Sequence, residues 1–286
     1  MQEFIDKADV LLEALPYIQR FRSSVFVIKY GGSFMDSPDV KVRSGVAADI
    51  VFLEAVGINP VVVHGGGKAI TTAMERAGIK AQFVHGMRVT DEETMKCVEE
   101  VLANVINRDI VEMIQKLGGK ARGFSGKDVF TCRKLEKDGV DLGYVGEVTE
   151  VSVEKIRKCL WGQVTPVISP IGLGADGHAY NINADVAAAK LAMAIGARRL
   201  VFLSDVPGLL RDPSNTNTLI SHLKASEVMQ LKRDGIVDKG MIPKVDSAVE
   251  AVQAGVRRVH FVDGRTPHSV LLEVFTDKGI GTEIVK

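Results

Sequence analysis

The sequence predicts an α/β protein built on a largely parallel sheet with helices on both faces, and three observations carry that reading. Short continuous apolar runs recur, among them Val25-Phe26-Val27-Ile28 and Pro60-Val61-Val62-Val63, with helical segments between them. Such runs suit strands buried on both faces, as in sheets whose parallel strands are joined by helical crossovers. Glycine is in excess, at 28 of 286 residues, or about 10% against an average of about 7%. Many of these glycines stand immediately after the apolar runs, where strands give way to helices.

The elements follow in order. Phe4 to Phe21 places apolar residues at Phe4, Ala8, Leu11, Leu15 and Ile18, a helical spacing. Pro16 lies inside it, so a kink or break is expected near Leu12 to Pro16. The alternation then begins with a strand over Val25 to Ile28, a helix over Val40 to Val56, a strand over Pro60 to Val63 and a helix over Ala69 to Ala77. Ala81 to Thr90 reads as an irregular hairpin around His85-Gly86. Thr90-Asp91-Glu92-Glu93 has the capping-box spacing, with Thr90 as cap, and opens a long helix to about Leu117. Val129 to Val151 alternates between turn residues and reads as short antiparallel strands on a sheet edge. Thr165 to Ser169 is a further strand, and Asn183 to Ile195 a helix closed by Gly196. Leu200 to Leu203 is a strand running into Ser204-Asp205-Val206-Pro207-Gly208. Lys224 to Arg233 and Ile242 to Ala254 are helices, and Arg258 to Val262 is the last clear strand.

Composition narrows the function. Lysine plus arginine number 36 and aspartate plus glutamate 36, leaving no net charge. That balance speaks against a nucleic-acid footprint or a polybasic membrane patch. The longest run free of charge, Cys159 to Ala175, contains Pro166 and Pro170 and does not read as a membrane helix. Three scattered cysteines, Cys97, Cys132 and Cys159, disfavour a disulfide framework or a structural zinc site and fit a reducing compartment. Acidic residues at Glu3, Asp6, Asp9 and Glu13 are what a targeting peptide avoids. A cytoplasmic protein is expected.

Two glycine clusters, Gly31-Gly32 and Gly65-Gly66-Gly67, follow neighbouring strands and lead toward helices. Each alone is as well explained by a tight turn as by an anion site; two at one sheet edge favour anion binding. The known phosphate patterns are absent: Gly67-Lys68 runs into Ala69, which breaks the P-loop, and no GxGxxG opens a helix. Lys29 ends a buried strand, where it either meets an anion or snorkels to solvent. Lys244 lies in a helix first turn, where a cation opposes the dipole. Asp185 is either an acidic first-turn residue or a partner to such cations. Arg88 could hold a carboxylate in its fork or sit in a surface ion pair.

Six segments occurring in order resemble the amino acid kinase family: Lys29-Tyr30-Gly31-Gly32-Ser33, His64-Gly65-Gly66-Gly67, Arg88-Val89-Thr90-Asp91, Tyr180-Asn181-Ile182-Asn183-Ala184-Asp185, Ser204-Asp205-Val206-Pro207-Gly208 and Gly240-Met241-Ile242-Pro243-Lys244. The likeness runs from Val25 to the end and is nearest to the arginine-inhibited type of the branch that phosphorylates N-acetyl-L-glutamate. It implies a three-layer αβα sandwich with a mostly parallel open central sheet. It divides the chain into an oligomerisation helix (1–23), an N-terminal lobe for acylglutamate and dimerisation (24–196) and a C-terminal lobe for ATP and arginine (197–286); 24–286 also counts as one kinase domain. The implied reaction turns N-acetyl-L-glutamate and ATP, carrying Mg2+, into an acyl phosphate. A carboxylate nucleophile is ionised at neutral pH, so positioning and charge neutralisation must supply the catalysis.

The resemblance assigns catalysis to Lys29, Lys244 and Asp185, and substrate binding to Gly66, Gly67, Arg88 and Asn181. Phosphate and ATP contacts fall to Gly31, Gly32, Ser204, Asp205, Gly208, Leu210, Gly240 and Met241. An arginine effector would meet Tyr17, Lys224, His268, Glu273 and Gly279, in a hexamer built as a trimer of dimers, with the PII signalling protein as a further partner. The chain departs from the family at Ser33-Phe34, where Asn-Ala is common, and at Lys68, where Pro is common; neither position is a phosphoryl contact. The competing readings are a sibling kinase acting on glutamate, aspartate, carbamate or UMP, and a non-catalytic nucleotide-binding subunit.

Overall fold

A computed structural model describes residues 1–31, 35, 40–84, 86–137, 139–237 and 240–286. The chain opens with α1 (Gln2–Phe21), then β1 (Val25–Tyr30), α2 (Val40–Ala55), β2 (Asn59–His64), α3 (Gly67–Arg76) and a two-stranded ribbon of β3 (Phe83–Val84) and β4 (Met87–Arg88). Next come α4 (Glu92–Glu99), a π-helical stretch over Glu100–Ile106, α5 (Asn107–Lys116), β5 (Ala121–Phe124), β6 (Phe130–Lys137), β7 (Val140–Val151) and α6 (Glu154–Trp161). The remainder is β8 (Thr165–Ile168), β9 (Ile171–Gly174), β10 (Ala179–Asn181), α7 (Ala184–Ile195), β11 (Arg199–Ser204), β12 (His222–Lys224), α8 (Val228–Arg233), α9 (Ile242–Gln253), β13 (Arg258–Asp263), α10 (Ser269–Val274) and β14 (Thr282–Val285).

Eight strands form the central sheet in the order β12-β14-β13-β11-β1-β2-β8-β5. Every neighbouring pair is parallel except β13 with β14. The predicted sandwich is therefore the observed one. β1 alternates its faces: Phe26, Ile28 and Tyr30 join the core under α2, α5 and α10, while Val27 joins the core under α7 and α9. Phe26, Val27 and Ile28 are fully buried, and each aliphatic side chain so removed from water contributes roughly 1.5–3 kcal/mol. The sheet is continuous across residues 196–197, because β1 and β11 share a ladder from Phe26 opposite Arg199 to Lys29 opposite Phe202.

Several expectations are corrected. No break occurs at Pro16: α1 is one 20-residue helix with the proline inside it, the missing N–H costing one bond of a ladder that otherwise continues. The cap of α4 is Asp91, whose carboxylate accepts from Thr94 N at 2.8 Å; Thr90 is fully buried and bonded elsewhere. The long helix that follows is interrupted by π-helix, which its periodicity did not announce. The strands in Val129 to Val151 do not extend an edge of the central sheet but close with β9 and β10 into a separate four-stranded barrel. Lys224 ends β12 and caps a 3-10 turn, Ala225–Glu227, that runs into α8, so the α-helix itself begins only at Val228; and β13 is not the last strand, since β14 is inserted between it and β12.

Candidate active site

The site forms where β1 and β2 end and the N-termini of α3, α7 and α9 converge. Strand alternation turns Lys29 to the same face as Val27, the face that α7 covers. Asn183 caps α7, its side-chain oxygen accepting from Asp185 N at 2.8 Å and Val186 N at 3.3 Å. That turn sets Asp185 in the first turn of α7, buried beneath the end of β1. Pro243, in the first turn of α9, needs no N–H partner there, and Lys244 follows it.

Asp185 holds the two lysines together. Lys29 Nζ stands 3.0 Å from Asp185 Oδ1, and Lys244 Nζ donates a short hydrogen bond to Asp185 Oδ2. Burial is the largest single influence on this carboxyl and raises it. The charges of Lys29 and Lys244, with their hydrogen bonds, outweigh burial and hold it below the usual carboxylate range. The cation in the first turn of α9 thus has its counter-charge. Asp185 Oδ1 takes at most one of the three Lys29 ammonium protons, so Lys29 keeps donor capacity for another acceptor.

A cleft of about 260 Å³ opens on Lys29 and Asp185 and is lined as well by Gly31, Gly66, Gly67, Arg88 and Asn181. Gly31 leaves room for the lysine: a Cβ there would stand 2.5 Å from Lys29 Nζ and 2.8 Å from its Cε, so the end of that side chain would have to move. Arg88 is buried, stacked 4.7 Å over the Phe83 ring, and donates to Gly67 O at 2.8 Å and Thr71 Oγ1 at 2.7 Å. Desolvation lowers its pKa, and among the described residues it has no acidic partner. A buried guanidinium without a counter-charge fits an anionic ligand. Asn181 Nδ2 donates to Thr90 Oγ1 at 3.2 Å, and Thr90 Oγ1 in turn donates to Arg88 O at 2.9 Å. Thr90, which the sequence reading used only as a cap, therefore links the arginine strand to the asparagine.

The other expected residues that the structure describes lie apart from the cleft. Gly32, with the departures Ser33 and Phe34, falls outside the described residues. Ser204 ends β11 and donates to Val206 O at 3.2 Å; Asp205 follows it and lines a second, larger cavity with Tyr30 and Lys68. Gly208, at φ 146°, has no room for a Cβ against Thr282 Oγ1, and Leu210 bridges to Leu219. Gly240 and Met241 lead into α9.

Of the five residues expected to meet an effector, Tyr17, Glu273 and Gly279 line one cavity of about 310 Å³ between α1 and the C-terminal elements. Lys224 and His268 do not line it; His268 Nδ1 instead meets Asp49 Oδ1 at 2.8 Å. The sequence reading missed His260 there, buried at 2.6 Å from Glu273 Oε1. Its position in a strand carried no signal.

A mostly parallel open sheet with glycine-rich turns after its strands and two lysines meeting one carboxylate fits the class of phosphoryl-transferring enzymes, and comparison gives it a family. The chain belongs to the amino acid kinase family, whose model matches residues 24–263. It is similar to the acetylglutamate kinase of Methanocaldococcus jannaschii, with 49% identity over 100% of this chain and 98% of that one. The acetylglutamate kinase of Aquifex aeolicus is 48% identical over 99% of each. Among solved structures, an N-acetylglutamate synthase from Neisseria gonorrhoeae complexed with coenzyme A and N-acetyl-glutamate superposes with a TM-score of 0.85 at 28% identity. That match covers 96% of this chain and 62% of the synthase. Giardia lamblia carbamate kinase bound to AMP-PNP shares the fold at 18% identity, with a TM-score of 0.69 over 92% of this chain and 99% of that one. Among the described residues no helix is long and apolar enough to cross a membrane.

Proposed function

We propose that this kinase transfers the γ-phosphoryl group of ATP to the side-chain carboxylate of N-acetyl-L-glutamate, giving N-acetyl-L-glutamyl 5-phosphate for arginine biosynthesis. The observation that carries the reading is a buried arginine that has no acidic partner among the described residues and lines the same cleft as Lys29 and Asp185, the carboxylate that also clamps Lys244. Full-length similarity to acetylglutamate kinases supports the choice of acceptor.

In this reading Arg88 takes the α-carboxylate of the acceptor and Asn181 its neighbouring polar groups. The Gly66 and Gly67 amides, at the N-terminus of α3, face the transferring phosphoryl group and the carboxylate it is passed to. The donor set suits a nucleotide: Lys29 has an ammonium proton to give, and Lys244 approaches from the other lobe. Mg2+ carried on ATP supplies further charge neutralisation. Lys29 and Lys244 stabilise the charge that spreads over the transferring group, and Asp185 keeps both ammoniums in place between turnovers. No general base is needed, since the nucleophile is already ionised.

Trapping the product with hydroxylamine tests the reading. Hydroxamate from N-acetyl-L-glutamate and not from glutamate is expected. Hydroxamate from glutamate alone points to a sibling kinase, and ATP binding without turnover to a regulatory subunit.

Arginine feedback inhibition rests on a separate observation, the cavity that brings Tyr17, Glu273 and Gly279 together. The exposed apolar residues Phe4, Leu11, Leu12 and Leu15 along α1 support the same helix as the contact of a hexamer. Deleting residues 1–22 is expected to abolish both hexamer and arginine sensitivity. A full-length protein indifferent to arginine ends this reading and leaves the kinase reading standing.

A further inference from the structure

His64 is fully buried at the end of β2, and the phosphoryl-transfer scheme gives it no task. Burial pushes its imidazole down to about 4, so the ring is neutral at physiological pH. A neutral imidazole has one donor nitrogen and one acceptor nitrogen, and its surroundings fix which is which. Nδ1 lies 2.9 Å from Gly65 O, which can only accept. Nε2 lies 3.2 Å from Asn107 Nδ2, which can only donate, and the same Nδ2 is 2.9 Å from Val167 O. The proton therefore sits on Nδ1, and Asn107 holds the ring in that tautomer.

Asn107 reaches His64 because of where the π-helical stretch ends. Asn107 is the first residue after it, and its side-chain oxygen packs against Gly123, where a Cβ would collide with it. Leu102 and Ile106, from the π-helical stretch, close on Gly66: a Cβ there would be 2.6 Å from Leu102 Cδ2 and 2.5 Å from Ile106 Cδ1. The stretch thus presses on the glycine loop with two methyl groups and grips it through Asn107 and His64. Local π-helix of this kind is frequent at functional sites.

Peptide planarity turns this grip into an aim. Gly65 O and the Gly66 N–H belong to one trans peptide unit and point in opposite directions. Val62 packs on the α5 face of the sheet and Val61 and Val63 on the α7 face, so the alternation puts His64 on the α5 face. A carbonyl drawn toward His64 sends the Gly66 N–H toward the α7 face, where Lys29 and Asp185 stand. No acceptor for that N–H is present among the described residues.

We infer that His64, locked by Asn107, is a positioning residue that aims the Gly66 amide at the group being transferred. The inference rests on the proposed kinase reading for its chemistry, but its geometry can be tested without turnover. An asparagine at position 64 can place its Nδ2 near the Nδ1 position of the histidine; a leucine cannot donate at all. Both changes abandon Asn107, so both lower stability, and only the aiming role separates them.

The experiment measures kcat and KM of full-length wild type, His64→Leu and His64→Asn by hydroxamate formation. In parallel, the Gly66 amide resonance is followed in 15N-labelled protein without substrate. His64→Leu is expected to lose about a hundredfold in kcat with KM for the acceptor within a few fold, the scale of losing one preorganised donor. Its Gly66 resonance moves, and His64→Asn restores most of both. Equal losses in the two variants, or an unmoved Gly66 resonance in His64→Leu, overturn the inference. Wild type without hydroxamate defeats the kinase reading instead, while the resonance still decides the geometry. If His64→Leu does not fold, Asn107→Leu replaces it. That change frees the ring while leaving His64 present; it should shift the resonance and lower kcat, and no change in either again overturns the inference.

Discussion

Replacing Asp185 by asparagine tests the centre of the site. The substitution keeps the shape and removes the charge that two ammoniums share. The two lysines are not equally placed to respond. The Lys244 side chain is 24% exposed and can turn to solvent, whereas that of Lys29 is 10% exposed and lies against Gly31. The cost therefore falls mainly on Lys29, left buried beside a neutral amide. Breaking a buried pair from one side costs about 3–5 kcal/mol, and the freedom of Lys244 places this case near 3. For a chain of this size that is a fall of about 5 °C in melting temperature.

The pH dependence gives the sign. Asp185 has a folded pKa below its unfolded value, so its stabilisation is complete above the unfolded value, about 3.9, and is lost as pH falls through the folded one. The melting gap between wild type and Asp185→Asn should be full at pH 7 and narrow progressively below about pH 4. Calorimetry between pH 3 and pH 8 reads this directly, beside kcat at neutral pH, which should fall far more than either KM. A gap under 1 °C at pH 7, or one that does not narrow in acid, refutes the coupling of the three side chains.

Three further outcomes are expected. Arg88→Lys keeps the charge but loses the fork over Phe83 and the bonds to Gly67 and Thr71; acceptor KM should rise by about 10- to 100-fold, the value of one to two charge-assisted hydrogen bonds, and an unchanged KM contradicts the role given to Arg88. Gly31→Ala introduces a Cβ into the Lys29 ammonium and should depress kcat in a protein that melts near the wild-type temperature; normal turnover means the ammonium can work from elsewhere. Burial pushes the Cys132 thiol up to about 12 and raises Cys159, so iodoacetamide at pH 8 should label half-buried Cys97 first, and rapid labelling of Cys132 in native protein contradicts its burial.

The strands that were legible in the sequence, β1, β2, β8, β11 and β13, are those buried on both faces, where short apolar runs stand out even though polar residues such as Lys29, His64, Arg199 and His260 lie within or beside them. The pieces missed are short or defined by partners. β12 has three residues and β14 four, and each exists because a distant strand offers it a ladder. β9 and β10 are made strands by the closure of the small barrel, not by their own alternation. Asp91 was read as a capping residue, but the N-cap itself was placed one residue early, at Thr90, because Thr90 satisfies the same local pattern; only the approach of β7 decides between them: Tyr144 N donates to Thr90 O and Thr90 N to Leu142 O. Lys29, Asp185 and Lys244 were each visible as charges in awkward places. Their meeting was implied by family resemblance alone, since no local pattern brings three such distant segments to one point. His64 was read as part of a glycine motif and passed over, because burial and the partner Asn107 exist only in the folded chain.

The place of β1 in the sheet has a consequence for biosynthesis. Its first neighbour, β2, emerges from the ribosome almost at once, but its other neighbour is β11, far along the chain. At about 5–20 residues per second, that second partner arrives on the order of ten to thirty seconds later. Through that interval Phe26, Val27 and Ile28 border an unpaired ladder of N–H and C=O groups, the kind of edge that captures other chains. Chains arrested before Arg199 should therefore accumulate as insoluble material or on chaperones, while chains released after Ser204 can seal the middle of the sheet.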